Sequence, residues 1–280
     1  MRQMGQVMKA ATAIAAGKAD GARLSAAVKD RLSPIAAVVS WGGCPGIPGV
    51  MTRFGYTLMT EQSGPKDLVR YAVSAERAGF DFEVSSDHYF PWLSSQGHAP
   101  YAWSVLGAVA HATEQVELFT YVTCPTIRCH PAVAQKTATL QILADGRFTL
   151  DSWHEARRGT GLPGEVRVIG QIPVCWDPDR DAATARAHDQ FRWFAGWWAV
   201  NSDLPTTAGF EGATQFGQAR GLAESIPCGP DLDGIVEAVR EYWEAGFTDI
   251  ALVQIGGDSQ DLFLKEAAAS LLEKLRTASQ

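Results

Sequence analysis

Positive charge is scarce in this 280-residue chain: 24 Lys and Arg stand against 31 Asp and Glu, a formal net charge of −7. Phosphate backbones are held by clustered Lys and Arg, so this balance argues against a nucleic-acid partner. No apolar run approaches the ~18 residues that a membrane span requires, which excludes a membrane role. The first residues do not form a signal peptide, because Lys9 and Lys18 interrupt any apolar stretch. Cysteine is sparse and odd in number: Cys44, Cys124, Cys129, Cys175 and Cys228. Cys124 and Cys129 have no second pair or neighbouring His set to complete a zinc site, so the expectation is reduced thiols, a cytoplasmic location and no metal. Hydrophobic residues make up 46% and charged residues 20% of the chain, ordinary values for a globular protein with ample material for a core. Nine Trp are present, and core packing accounts for most of them.

The most informative stretch runs Phe82-Glu83-Val84-Ser85-Ser86-Asp87-His88-Tyr89-Phe90-Pro91-Trp92, followed by Gly97-His98-Ala99-Pro100-Tyr101. A β-rich run ends in an acid–imidazole pair, and in β/α proteins the carboxyl ends of strands carry the ligand site. His titrates near neutrality, and a neighbouring carboxylate can orient it or hold its charge. Trp92 offers a flat apolar wall with one N–H donor. The same residues also suit a satisfied loop histidine and a core tryptophan.

Around this stretch the chain alternates strand and helix, the sign of a parallel sheet. Strands are expected at 54–59, 82–85, 116–123, 147–150, 167–176 and 248–255, six in all. Helices are expected after Pro65, over 101–112, 131–144 and 181–200, and after Asp231, whose side chain would cap the last of these. Ala78-Gly79-Phe80 and Ala245-Gly246-Phe247 each sit between a helix and a strand, as repeated β/α modules would place them. Gly159-Thr160-Gly161-Leu162-Pro163-Gly164 spells a dinucleotide motif, but no strand precedes it and Pro163 prevents the turn, so it is not read as a nucleotide site.

SSDHYFPW and GHAPY resemble the signature of luciferase-like oxidoreductases that use the deazaflavin coenzyme F420, in the branch similar to F420-dependent glucose-6-phosphate dehydrogenase. Arg53-Phe54-Gly55-Tyr56, Thr123-Cys124-Pro125-Thr126-Ile127-Arg128, Asp145-Gly146-Arg147-Phe148 and Ile226-Pro227-Cys228-Gly229-Pro230 extend the likeness over about 51–150 and 167–280. The resemblance implies a (β/α)8 TIM-barrel-like fold. Six strands instead of eight then imply an internal deletion joined near 150–168, where the family carries a Gly-rich turn with a second catalytic Glu. Glu155 lies close in sequence but lacks those glycines and is read as coincidence.

The resemblance further implies hydride transfer between F420, with FMN as the alternative, and an alcohol or aldehyde substrate. His88 would be the general base, Trp92 would stack beside the reacting centre, and Asp87 would contact the coenzyme and orient the imidazole. Tyr121 and Val122 match a bulge that backs the coenzyme ring, where a non-proline cis bond would cost ~3 kcal/mol. His98 would shape the pocket mouth, and the protein would be a homodimer. The competing expectation is a non-catalytic remnant that binds coenzyme weakly or not at all. Residues 1–50 stand apart: 4–33 resemble the end of an amidotransferase tail domain, and 41–49 read as a linker, so a fusion remnant or misassigned start is expected before a barrel domain over 51–280.

Overall fold

The structure is a computed structural model that describes residues 51–121, 123, 130–150, 167–195, 206–215, 222 and 225–279. The 1–50 extension, the join around 151–166, Val122 and Glu155 therefore lie outside the described residues. In order, the elements are β1 (Arg53–Leu58), α1 (Pro65–Ala78), β2 (Phe82–Ser86), α2 (Ala102–Ala112), β3 (Glu117–Tyr121), α3 (His130–Leu143) and β4 (Phe148–Leu150). They continue with β5 (Ile169–Val174), α4 (Arg180–Phe191), α5 (Thr207–Thr214), α6 (Leu232–Glu244), β6 (Asp249–Gln254), α7 (Gln260–Glu266) and α8 (Ala268–Ala278).

All strand pairs are parallel, and the sheet order is β4-β3-β2-β1-β6-β5. The two ends of the deletion expected from sequence, β4 and β5, thus sit on opposite edges of the sheet. Among the described residues they do not pair with each other.

Both Ala-Gly-Phe segments end their helices by one device. Gly79 and Gly246 adopt φ values of 98° and 93°, open to glycine without strain. The next amide then reaches back to an orphaned carbonyl: Phe80 N–H to Ala75 at 3.2 Å and Phe247 N–H to Tyr242 at 3.1 Å. Asp231 caps α6 by accepting from the Asp233 and Gly234 amides, and Pro65 opens α1 where its missing N–H costs nothing.

Alternate strand positions face opposite sides of the sheet. Phe54, Tyr56, Leu118, Ile250 and Leu252 meet the helices in the main core. Phe82, Val84, Phe119 and Ala251 meet one another on the other side, with Tyr121 and Ile169 packed against them. Residues from four strands can share one small cluster only if the sheet is rolled around it. The amino ends of the strands show the same curvature. Arg167, just before β5, reaches Glu117 of β3 at 3.5 Å, although those strands stand four steps apart, roughly 19 Å in a flat sheet. Arg53 lies between them, 2.8 Å from Asp249 and 2.9 Å from Glu117, and Arg167 also pairs with Asp249. This ion network draws the base of an open sheet into a barrel-like curve.

Candidate active site

At the carboxyl ends of β1 and β2 two loops meet. Glu61, three residues past β1, is fully buried and accepts from the Ser86 hydroxyl at 2.8 Å. Thr60 adds a longer hydroxyl contact to the same carboxylate oxygen at 3.3 Å. The other oxygen of Glu61 holds Nδ1 of His88 in a direct hydrogen bond. Burial alone would push the Glu61 carboxyl up, but the hydrogen bond and charge of His88, with help from the Ser86 hydroxyl, hold it below the ordinary carboxylate range. The His88 side chain keeps 21% of its surface exposed. Its Nε2 has no hydrogen-bond partner among the described residues.

The carboxylate that fixes the imidazole is therefore Glu61, where the sequence pointed to Asp87. Asp87 is buried and accepts from the Trp103 indole N–H at 3.1 Å, joining the β2 loop to α2. Period-two alternation explains the change of partner. Phe82, Val84, Ser86 and His88 follow one side of the strand, while Asp87 follows Glu83 and Ser85 to the helix side. The one pointer to Glu61 was a carboxylate a few residues past the first strand, at the same end as the Asp–His pair, with nothing local to tie it to His88.

Trp92 stands edge-on to His88, with ring centroids 4.7 Å apart. Its ring also packs on Trp193 and Phe210, at 5.4 and 5.0 Å. The loop that carries it is pinned from three sides. Its amide donates to Gln96 Oε1 at 2.9 Å, Gln96 Nε2 donates to the Gln190 carbonyl at 3.2 Å, and the Thr207 hydroxyl donates to the Pro91 carbonyl at 2.9 Å. The aromatic wall is thus set by α4 and α5, elements distant in sequence. His98 is exposed, and its backbone N–H donates to the Glu61 carbonyl at 3.1 Å, tying the GHAPY loop to the same residue. Tyr101, at the end of that loop, receives a hydrogen bond from Lys136.

Tyr121 ends β3 against the Phe82–Phe119 cluster. Val122 is outside the described residues, and with it the expected bulge. Gln62 follows Glu61 and is 5% exposed. Its Oε1 accepts from the Gly256 amide at 3.1 Å, while its Nε2 is buried without a partner among the described residues. Among the described residues no cluster of His, Cys, Asp or Glu is arranged to hold a metal ion, and no helix is long and apolar enough to cross a membrane. Chemically, the arrangement is an oriented carboxylate–imidazole pair that can take a proton at Nε2 beside an aromatic wall.

Over 143 residues the chain is 50% identical to F420-dependent glucose-6-phosphate dehydrogenase of Beutenbergia cavernae, an alignment covering 46% of this chain and 43% of that protein. The namesake from Amycolatopsis mediterranei is 48% identical over 101 residues, covering 36% of this chain and 30% of that protein. The chain therefore spans less than half the length of these curated relatives. Two solved structures share the fold: an F420-dependent secondary alcohol dehydrogenase with an F420–acetone adduct (TM-score 0.62, 19% identity, 78% of this chain and 99% of that one), and the coenzyme F420-dependent tetrahydromethanopterin reductase of Methanopyrus kandleri (TM-score 0.57, 14% identity, 79% and 99%). The likeness of residues 4–33 to an amidotransferase tail gains no support from these comparisons. Residues 49–151, which carry β1 to β4 and the Glu61–His88 pair, match the luciferase-like monooxygenase family.

Proposed function

We propose that this protein is an oxidoreductase that moves a hydride between an alcohol or aldehyde-type substrate and coenzyme F420. The buried Glu61–His88 pair beside Trp92 carries the reading, and partial likeness to F420-dependent glucose-6-phosphate dehydrogenases supports it. The residues present suit the ring end of a deazaflavin. Gln62 Nε2 is a buried donor with no partner, at the strand ends where a carbonyl-bearing ring would lie. When bound, the coenzyme supplies the hydride acceptor.

His88 then takes the hydroxyl proton at Nε2 as the hydride departs from the substrate carbon. Glu61 stabilises the imidazolium that forms and fixes the tautomer that leaves Nε2 free to accept. Ser86 and Thr60 hold Glu61 in place. Trp92 sets the ring plane of His88 and keeps water from one side of the reacting centre. Tyr121, Asp87 and Val122 are the further positions assigned to coenzyme contact, and His98 the one assigned to the pocket mouth. The barrel domain is assigned to 51–280, with a deletion join near 150–168 after a separate 1–50 extension, and the assembly to a cytoplasmic homodimer.

A second reading, a remnant that no longer turns over, draws on the two sheet edges left unpaired among the described residues. Fluorescence titration of the full chain with F420 separates the two. Saturable binding near the micromolar range, ~8 kcal/mol, supports the oxidoreductase. A well-folded chain with no binding supports the remnant, and FMN absorbance in the purified protein would favour FMN as the coenzyme.

A further inference from the structure

Two buried cysteines outside the His88 site face each other at the edge of the sheet. Cys175 follows β5 directly, and Cys228 lies in the segment leading to α6. They form an isolated parallel bridge. The Cys175 amide donates to the Pro227 carbonyl at 2.9 Å, and the Gly229 amide donates to the Cys175 carbonyl at 3.0 Å. The Ile255 amide donates to the Val174 carbonyl, so β6 occupies one edge of β5. Backbone groups of successive strand residues point to opposite edges, which places Cys228 on the edge that faces away from β6. Directly bridged residues present their side chains to one face, and both cysteines belong to the cluster of Ala183, Ala187 and Phe191 on α4. Both are free thiols.

Their surroundings differ. Cys175 has no exposed surface, and its thiol donates to the Ala183 carbonyl at 3.2 Å. Cys228 keeps 9% of its surface exposed. The neighbouring Cys175 thiol holds the Cys228 thiol below its ordinary value; burial opposes this, while the Arg180 charge and the Thr184 hydroxyl add to it. The same contact and burial raise Cys175. Cys228, the more exposed of the two, is thus the sulfur that a dissolved disulfide reaches first, with the buried Cys175 behind it.

We propose that Cys228 and Cys175 form a thiol–disulfide pair in which Cys228 attacks a low-molecular-weight disulfide and Cys175 resolves the product. The Cys228 thiolate forms a bond to one sulfur of that disulfide and expels the other half as a thiolate. Cys175 gives up its proton, attacks the Cys228 sulfur and expels the second half. Two protein thiols are oxidised, one disulfide is reduced to two thiols, and the two protons pass to the leaving groups. The new bond would fasten Ile226–Gly229 to the edge of the chain just past β5, next to Trp176 and Asp177 at the carboxyl ends of the strands.

The test is peptide mapping of the folded full chain after incubation with glutathione disulfide and alkylation of the remaining thiols. Trypsin cuts after Arg167, Arg180, Arg220 and Arg240, which leaves the two cysteines in different peptides, 168–180 and 221–240. The expected result is loss of alkylation at both and a cross-linked pair of these peptides that reductant separates. In Cys175→Ser, Cys228 should be trapped as the mixed disulfide with glutathione; in Cys228→Ser, Cys175 should alkylate as in untreated protein. Recovery of both wild-type peptides fully alkylated, or linked instead to Cys44, Cys124 or Cys129, would overturn the pair. Glutathione on Cys175 in Cys228→Ser and none on Cys228 in Cys175→Ser would overturn the assigned roles. The wild-type map decides the matter even if either variant fails to fold.

Discussion

Glu83 sits in the middle of β2 with no exposed surface, and among the described residues neither carboxylate oxygen has a hydrogen-bond partner. It faces the helix layer, between Tyr56 of β1 and Leu118 of β3 in the strand register. Burial pushes its carboxyl up to about 8, Glu76 adds to the rise, and Arg147 opposes it. A carboxyl whose folded value is raised takes up a proton on folding, so its contribution is full below the unfolded value of ~4.5 and is lost as pH rises towards 8. Across that window stability should fall by roughly 1.4 kcal/mol per pH unit, which amounts to ~3 kcal/mol by pH 7. Glu83→Gln removes the titration and keeps the shape. Urea unfolding of both proteins at several pH values from about 5 to 8 measures the effect. The variant should match the wild type at the acid end and exceed it by ~3 kcal/mol at pH 7. A stability difference that stays flat over this range would refute the reasoning, because it would mean that Glu83 keeps a partner or reaches water.

Further expectations concern the other polar clusters. His88→Ala should lower turnover ~10²–10⁴-fold with F420 affinity nearly kept, measured by steady-state kinetics and fluorescence titration; normal turnover would remove His88 from the mechanism. Glu61 has the opposite pH sign to Glu83, because its carboxyl is held low in the folded protein. Its contribution is present above the unfolded value of ~4.5 and is lost as pH falls through the folded one, so Glu61→Gln should flatten the acid limb of a stability–pH curve. At the base of the sheet, Asp249→Asn leaves Arg53 and Arg167 without their shared buried partner and should cost ~3–5 kcal/mol in urea unfolding. A Cβ on Gly257 would meet the Gln62 backbone carbonyl at 2.2 Å, so Gly257→Ala should weaken F420 binding more than it lowers the melting temperature; equal losses in both would argue against a role for Gln62.

The strands and helices were legible because each is marked locally: Pro65 and Asp231 start helices, the two Ala-Gly-Phe segments end them, and β-branched and aromatic runs follow. Where elements end was less legible. Of the helix expected over 181–200, the described part runs as α-helix to Phe191 and as a tighter turn over Arg192–Ala195, while 196–200 lie outside the described residues. His88 and Trp92 were legible as a pair through the resemblance, and the structure puts their rings in contact. Glu61 was not, because its relation to His88 depends on two strands being neighbours, a long-range fact with no local mark. For orienting the imidazole, Asp87 is replaced by Glu61, because next in sequence along an extended chain means opposite in direction. The clamp on Trp92 from Gln190 and Thr207 was equally out of reach, as it joins residues about a hundred positions apart.

Two glutamates, equally buried and on adjacent strands or loops, show what assigns a role to a charge. Glu61 meets an imidazole, a serine hydroxyl and a threonine hydroxyl, so its charge is kept inside the protein. Glu83 meets none, so folding neutralises it instead. The difference lies in one alternation of the chain, which sends Glu83 towards the helices and Ser86 and His88 towards the mouth. A carboxylate–imidazole pair at the strand ends is therefore compatible with a buried carboxyl in the apolar layer a few residues away. A double variant, Glu83→Gln with His88→Ala, should accordingly show additive stability changes, since the two residues share no partner. Coupling between them beyond ~0.5 kcal/mol would place Glu83 within the network of the site and reverse that separation.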